Sequence, residues 1–133
     1  MKLASLVVCL VLPNLALALT STEQILLSKN IYHECREKTI CSKADWQKIA
    51  KVALNRVALA KQGKQKFGAK QATLQGILTS NEYTSRKKLN KPIKDKEIWV
   101  KIKKFVKQGK FGVSKATFFS TKGKGRKRKM VYR

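Results

Sequence analysis

The stretch over residues 20–57 constrains the fold most strongly, because it carries two helical patterns separated by a short turn. Apolar residues recur in it at spacings of three and four, which places them on one face of an α-helix. The clearer pattern is the second, and its members are Trp46, Ile49, Ala50, Ala53, Val57 and Ala60. The alanines among them allow another helix to approach closely. The stretch therefore predicts two amphipathic helices packed on a common core.

The first helix of this pair begins with a capping signal. Residues 20–22 are Thr, Ser and Thr, and Glu23 or Gln24 follows three residues on, the arrangement of a capping box. Its expected buried stripe is formed by Ile25, Leu26, Leu27 and Ile31.

Glu34 is the unusual residue of this helix. Leu27, Ile31 and Glu34 follow an i, i+4, i+7 series on one helical face. Glutamates are mostly exposed, so a glutamate at the edge of a buried stripe is a candidate catalytic acid. A purely structural Glu34 is the alternative interpretation.

Later segments carry their own boundary signals. Ser42 is expected to cap the second helix, with Asp45 at its third position, and Gly63 to end it. Thr73 is expected to cap a short helix over residues 74–78.

A third long helix is predicted after Asp95, and Gly109 should end it. Its inner stripe would consist of Ile98, Trp99, Ile102, Phe105 and Val106. Two β-prone runs follow, residues 116–120 and 130–132, with Gly123 and Gly125 between them. They predict a terminal β-hairpin, so the expected fold class is mainly α (α+β).

The N-terminus has the pattern of a secretory signal peptide. Lys2 precedes an apolar run over residues 3–12, and Ala16-x-Ala18 resembles a cleavage site. We therefore expect a signal peptide over residues 1–18, an exported catalytic domain over residues 19–133, and no other hydrophobic span. A retained membrane anchor is the alternative, although Pro13 interrupts the run.

Two cysteines remain once Cys9 leaves with the signal peptide. In an exported chain, Cys35 and Cys41 favour a disulfide across the turn between the helices. A metal site is the rival interpretation, but His33 is the only histidine and a four-ligand spacing is absent. A reactive Cys35 thiol beside His33 is a further alternative.

The net charge is extreme, at +24 from 31 Lys and Arg against 7 Asp and Glu. In a cytosolic protein this charge would indicate binding to nucleic acid. In an exported protein the expected anions are wall polymers, lipopolysaccharide, lipid headgroups or peptidoglycan carboxylates. We therefore expect the basic face to contact anionic wall polymers or a lipid surface, and expect no nucleic acid partner. A merely solvated lysine surface is the alternative.

The residue inventory excludes several classes of enzyme. One histidine and no G-x-S-x-G elbow argue against a nucleophilic triad, and phosphate-binding glycine patterns are absent. Few metal ligands are present, so we expect neither a metal nor another cofactor. Carboxylate chemistry remains. Glycosidases usually pair two carboxyl groups, whereas a lytic transglycosylase needs one, with a pKa raised by partial burial. Glu34 fits that requirement.

Two segments resemble a known family. Residues 31–37 (IYHECRE) and 44–57 (ADWQKIAKVALNRV) are similar to the opening motif of SleB-type, spore-cortex-lytic cell wall hydrolases, A-E-A-x-G-E followed by A-V-A-x-V-x-x-N-R-V. Pieces that keep the family order are TLQGIL at 73–78, NEYTS at 81–85, KATFF at 115–119 and MVY at 130–132. The resemblance implies a small lysozyme-like or lytic-transglycosylase-like domain that cleaves peptidoglycan, with Glu34 as catalytic glutamate.

The same resemblance suggests roles for other residues. Expected substrate-binding residues are Glu82, Tyr83, Ser85 and Phe118, while Asn55 and Arg56 are expected to support the site. A structural role is an open alternative for Tyr83, Ser85, Asn55 and Arg56.

The expected function is cleavage of the MurNAc–GlcNAc β-1,4 bond in peptidoglycan glycan strands by a lytic transglycosylase. An N-acetylmuramoyl-L-alanine amidase or a hydrolytic muramidase is the alternative within enzymes. A non-catalytic cationic protein that binds the wall or a membrane is the alternative of another class. Oligomeric state is not predicted.

Overall fold

The structure, a computed structural model, describes residues 18–36, 41–122 and 129–133. It contains α1 (Ser21–Arg36), α2 (Lys43–Lys61), α3 (Leu74–Leu78), a 3-10 helix (Thr84–Lys88), α4 (Lys96–Gln108), β1 (Phe119–Lys122) and β2 (Lys129–Tyr132). The mainly α fold with a terminal antiparallel strand pair is confirmed. The predicted signal peptide and the two glycines of the hairpin turn lie outside the described residues.

The first helix of the opening stretch begins at its predicted capping box, and the second begins at its predicted cap, Ser42, where Asp45 completes a capping box. Thr20 N donates to Glu23 Oε1 at 3.0 Å, and Glu23 N donates to Thr20 Oγ1 at 3.1 Å. In α2, Ser42 N donates to Asp45 Oδ2 at 2.9 Å, and Asp45 N donates to Ser42 Oγ at 3.3 Å. Each box satisfies backbone N–H groups that would otherwise have no partner inside the helix.

The later helices also begin and end at predicted residues. Gly76 N donates to Thr73 Oγ1 at 3.0 Å at the start of α3, and Ile98 N donates to Asp95 Oδ1 at 3.1 Å at the start of α4. Gly109 ends α4 with a left-handed φ of 69°, a conformation that glycine adopts without steric cost.

The core forms where α1 packs against α4, α3 and α2. Leu27 and Ile31 are fully buried there, as predicted. Ile25 was expected in the same stripe, and this expectation is wrong because its side chain is 46% exposed. Ile25 and Leu27 are two positions apart, a rotation of about 200°, so the two side chains lie on opposite faces of α1.

α2 buries the predicted Ile49, Ala50 and Ala53 completely. It also buries Val52 and Arg56, which lie off the predicted stripe. The additional burial arises because α2 contacts α3 and the C-terminal segment as well as α1. Within the described residues, no helix is both long and apolar enough to cross a membrane.

The strand pair is shifted from the predicted positions. β1 begins at Phe119 instead of Ala116, and its register pairs Phe119 with Tyr132 and Lys122 with Lys129. The carbonyl oxygens of Ser114, Ala116 and Thr117 instead accept hydrogen bonds from the side chains of Asn55 and Arg56 on α2.

Tyr32 connects α1 to the start of α4. Its hydroxyl accepts hydrogen bonds from Lys94 N at 3.1 Å and from Asp95 N at 2.9 Å. Its ring meets Trp99 edge to face at 6.2 Å. These contacts set the position of the last turns of α1, where Glu34 lies.

Candidate active site

Glu34 lies in the last turn of α1 and is only 4% exposed. Asn30 is one turn earlier on the same face and is completely buried. A buried carboxyl group is uncommon, since ionisable side chains usually remain in water unless they have polar or charged partners. The side chain that the sequence singled out is therefore placed among other buried polar groups.

Tyr83 is a buried polar side chain from another part of the chain, and it is 2% exposed. Burial raises the pKa of its hydroxyl well above the usual value of 10.0, and the charge of Glu34 raises it further. The charge of Arg56 and the amide of Asn30 act in the opposite direction. Asn30, Glu34, Arg56 and Tyr83 thus form one buried polar group, here called the Glu34 cluster.

The guanidinium group of Arg56 lies among three aromatic rings. Its guanidinium carbon lies 4.8 Å from the ring centre of Phe67, 5.0 Å from that of Tyr83 and 4.9 Å from that of Phe118. Its Nε donates to Thr117 O at 2.7 Å. Among the described residues no hydrogen-bond partner is found for Nη1, although this atom is buried. Cation–π attraction is strongest for such a desolvated cation.

Asn55 holds the chain that leads into β1. Its Nδ2 donates to Ser114 O at 2.7 Å and to Ala116 O at 2.9 Å. Together with the bond from Arg56 to Thr117, these contacts fix residues 114–117 along α2 and thereby place Phe118 against Arg56. Asn55 and Arg56, the two residues predicted to support the site, therefore bind backbone carbonyls of residues 114–117. Their importance for catalysis stays a prediction.

The other predicted substrate-binding residues differ in exposure. Phe118 is 39% exposed and contacts the ring of Phe67 edge to face. Glu82 points to solvent next to Gly68. Ser85 lies in the 3-10 helix, and its side chain is not among those that the structure describes. The structure brings Glu34, Tyr83 and Arg56 together, places Phe118 on the outer side of Arg56, and leaves Glu82 on the surface.

The predicted disulfide is present between Cys35 and Cys41, whose Cα atoms lie 5.3 Å apart. Cys35 directly follows Glu34, so the bond tethers the end of α1 to the chain that leads into α2. In this arrangement neither cysteine supplies a free thiol.

A polar cavity of about 420 Å³ is lined by residues of the segment 68–81. Its lining includes Lys70, Gln71, Gln75, Ser80 and Asn81. None of the lining residues belongs to the Glu34 cluster, although Ser80 O accepts a hydrogen bond from Tyr83 N at 3.1 Å.

Two members of this region were not foreseen in the sequence. Asn30 precedes Glu34 by four residues, and that spacing alone could have identified it as a neighbour. Phe67 is 3% exposed and adopts a left-handed φ of 52°, which is rare for a bulky residue. The only local signal was an aromatic residue before Gly68 in a polar loop.

In the described part of the chain, no three His, Cys, Asp or Glu side chains are grouped so that they could hold a metal ion. Comparison with protein-family models, with curated proteins and with solved structures gives no match to this chain.

Proposed function

We propose that the protein is an exported peptidoglycan-degrading enzyme, a lytic transglycosylase that cleaves the MurNAc–GlcNAc β-1,4 bond with Glu34 as acid and base. The observation that carries the proposal is the burial of Glu34 in a cluster with Asn30, Arg56 and Tyr83. Buried carboxyl groups with specific charged neighbours are concentrated at catalytic sites. The resemblance of residues 31–57 to SleB-type cell wall hydrolases supports the same residue.

The proposed reaction requires a single carboxyl group. The protonated acid gives its proton to the glycosidic oxygen, and the bond from that oxygen to the muramic acid anomeric carbon breaks. The resulting carboxylate then takes the proton of the C6 hydroxyl, whose oxygen bonds to the same anomeric carbon. The product is a 1,6-anhydro end, and the glutamic acid returns to its protonated form without a net gain or loss of water.

The other described carboxylates support a mechanism with one acid. Asp45 and Asp95 accept hydrogen bonds in helix caps, and Glu23 does the same at α1. Glu82 and Glu97 are exposed. Glu34 is the only buried carboxylate among the described residues, so a paired-carboxylate hydrolysis finds no second buried acid in this part of the chain.

The neighbours of Glu34 have complementary roles in this proposal. Tyr83 is neutral at physiological pH, as any tyrosine with an ordinary or raised pKa is, so its buried hydroxyl can donate a hydrogen bond in this proposal. Arg56 is a permanent cation and stabilises the carboxylate that forms after proton transfer. The polar cavity of segment 68–81 offers amide side chains and Lys70, which suit the hydroxyl, N-acetyl and carboxylate groups of a peptidoglycan strand.

Digestion of purified sacculi tests this proposal. We expect the mature protein to release 1,6-anhydromuropeptides, as identified by mass spectrometry, and Glu34→Gln to release none while retaining its circular dichroism spectrum. Glu97→Gln is the matched control, because Glu97 is an exposed acid on α4 with no predicted role in the site, and this variant should retain activity. Full activity of folded Glu34→Gln would refute the assignment.

The products also separate the alternatives. Reducing muramic ends would indicate a hydrolytic muramidase, and free stem peptides an N-acetylmuramoyl-L-alanine amidase. Binding to sacculi without released fragments would indicate a non-catalytic cationic protein.

A further inference from the structure

A second cavity of about 420 Å³ lies between α2 and residues 113–117. Side chains of α2 form one wall, and the extended chain that Asn55 holds in place forms the other. The volume is within the range of ligand pockets, roughly 300–1,000 Å³. None of its lining residues belongs to the Glu34 cluster. The cavity is therefore a separate feature that the proposed cleavage does not use.

The interior of this cavity is apolar. Ala58, Leu59 and Val113 contribute hydrocarbon surface. Val113 is 101% exposed, more than any other large hydrophobic residue among those described. The amide N–H groups of Asn55 are already used by two backbone carbonyls, so they are not offered to a ligand. These walls fit a hydrocarbon chain better than a sugar or a peptide backbone, which would lose hydrogen bonds there.

The rim of the cavity is cationic. Lys51 lines one side and Lys115 the other, and no Asp or Glu is among the lining residues. Lys48 lies one turn before Lys51 on α2 and is exposed, with its Nζ 5.1 Å from the ring centre of Tyr132. Lys110 is held nearby by the bond from Gln47 Nε2 to its carbonyl oxygen at 3.2 Å. The charge around an apolar opening is complementary to an anionic headgroup attached to an acyl chain.

We propose that this cavity is a docking site for an anionic membrane lipid, with the acyl chain between α2 and residues 113–117 and the headgroup phosphate between Lys51 and Lys115. One acyl chain alone gives only marginal attachment, and a basic patch supplies the second contribution that stable attachment needs. The site would hold the protein at the surface of an anionic bilayer through a face distinct from the Glu34 cluster. This inference does not depend on peptidoglycan cleavage.

Co-sedimentation with vesicles tests the proposal. We expect the mature protein to bind vesicles of phosphatidylglycerol and phosphatidylcholine and not vesicles of phosphatidylcholine alone. Lys51→Gln and Lys115→Gln should each weaken binding about five-fold, the factor that corresponds to ~1 kcal/mol per lysine near an anionic surface. The control pair is Lys64→Gln and Lys66→Gln, because these lysines are exposed in the loop after α2. Equal losses of vesicle affinity in both pairs would show that binding depends only on the overall charge, and this result would overturn the proposal.

Two further variants test the apolar part without changing charge. Ala58→Trp fills the cavity from an exposed helical position, and Val113→Ser removes its most exposed hydrocarbon. Val100→Ser is the control, since Val100 is 58% exposed on α4. We expect the first two variants to weaken vesicle binding several-fold and the control to leave it unchanged. Wild-type affinity in folded Ala58→Trp would overturn the proposal.

A soluble polyanion separates lipid docking from attraction to any anionic polymer. Polyphosphate carries anionic phosphates without an acyl chain, so Ala58→Trp should bind it as the unmodified protein does. A parallel loss of polyphosphate and vesicle binding in Ala58→Trp would overturn acyl insertion and favour a polymer site.

Discussion

The guanidinium carbon of Arg56 lies 5.0 Å from the ring centre of Tyr83, which joins α2 to the residue that precedes the 3-10 helix. The charge of Glu34 in turn raises the pKa of the Tyr83 hydroxyl. One cation thus connects three separate segments of the chain, and the rings of Phe67 and Phe118 shield it from water. This arrangement couples the stability of the fold to the geometry around Glu34.

Arg56→Lys should therefore be destabilising although the charge is kept. Lysine cannot reproduce the planar contact with three rings or the hydrogen bond from Nε to Thr117 O. We expect a loss of about 2–3 kcal/mol in the free energy of unfolding, measured in urea. Arg133→Lys is the control, because the side chain of Arg133 is exposed. Equal stability of the two variants would contradict this interpretation of Arg56.

Asn55 offers a test of how residues 114–117 are held. Asn55→Ala removes hydrogen bonds to Ser114 O and Ala116 O, and we expect a loss of about 1–3 kcal/mol in the free energy of unfolding. Asn55→Asp should lower the free energy of unfolding further, because it brings carboxylate oxygens against two carbonyl oxygens. Asn90→Ala at an exposed position is the control.

Hydrogen exchange gives the local measurement for Asn55. The amides of Thr117 and Phe118 both donate to Arg133 O, so the Asn55 variants should speed their exchange. Unchanged exchange at both amides would show that Asn55 does not hold this segment.

The helix boundaries could be predicted from sequence because their causes are local. Ser42 and Asp45 are three residues apart and satisfy each other, and Gly109 supplies a backbone conformation that other residues adopt at a cost. The burial of Glu34 was also foreseeable, since it follows Ile31 and Leu27 on the same helical face.

The remainder of the candidate site could not be predicted, because it depends on contacts between distant parts of the chain. Arg56 and Thr117 are 61 residues apart in sequence, and no local pattern shows that a guanidinium will meet that carbonyl. The same set of bonds holds Ala116 and Thr117 on α2, outside the strand that their composition predicts. Tertiary contacts here override β propensity, as they often do.

The disulfide should contribute measurably to stability. Cys35 and Cys41 are separated by 6 residues, and closing a loop of that size lowers the entropy of the unfolded chain, which corresponds to about 2 kcal/mol. We expect the unmodified protein to lose that amount in a reducing agent, as measured by urea unfolding. The double variant Cys35→Ala, Cys41→Ala should have this lower free energy of unfolding without any reducing agent, and the reducing agent should not change it. Sensitivity of the double variant would contradict the assignment.

Ionisation of Tyr83 tests the electrostatics of the Glu34 cluster. Its pKa is raised in the folded protein, so its contribution to stability is complete below the unfolded pKa of about 10 and is lost as the pH rises toward the folded value. We expect phenolate absorbance, taken as the unmodified protein minus Tyr83→Phe, to show no step near pH 10 in the folded state. The same difference measured in concentrated urea should show the step at about 10. A step near pH 10 in the folded protein would show that the Tyr83 hydroxyl reaches water, and its place in a buried Glu34 cluster would then be wrong.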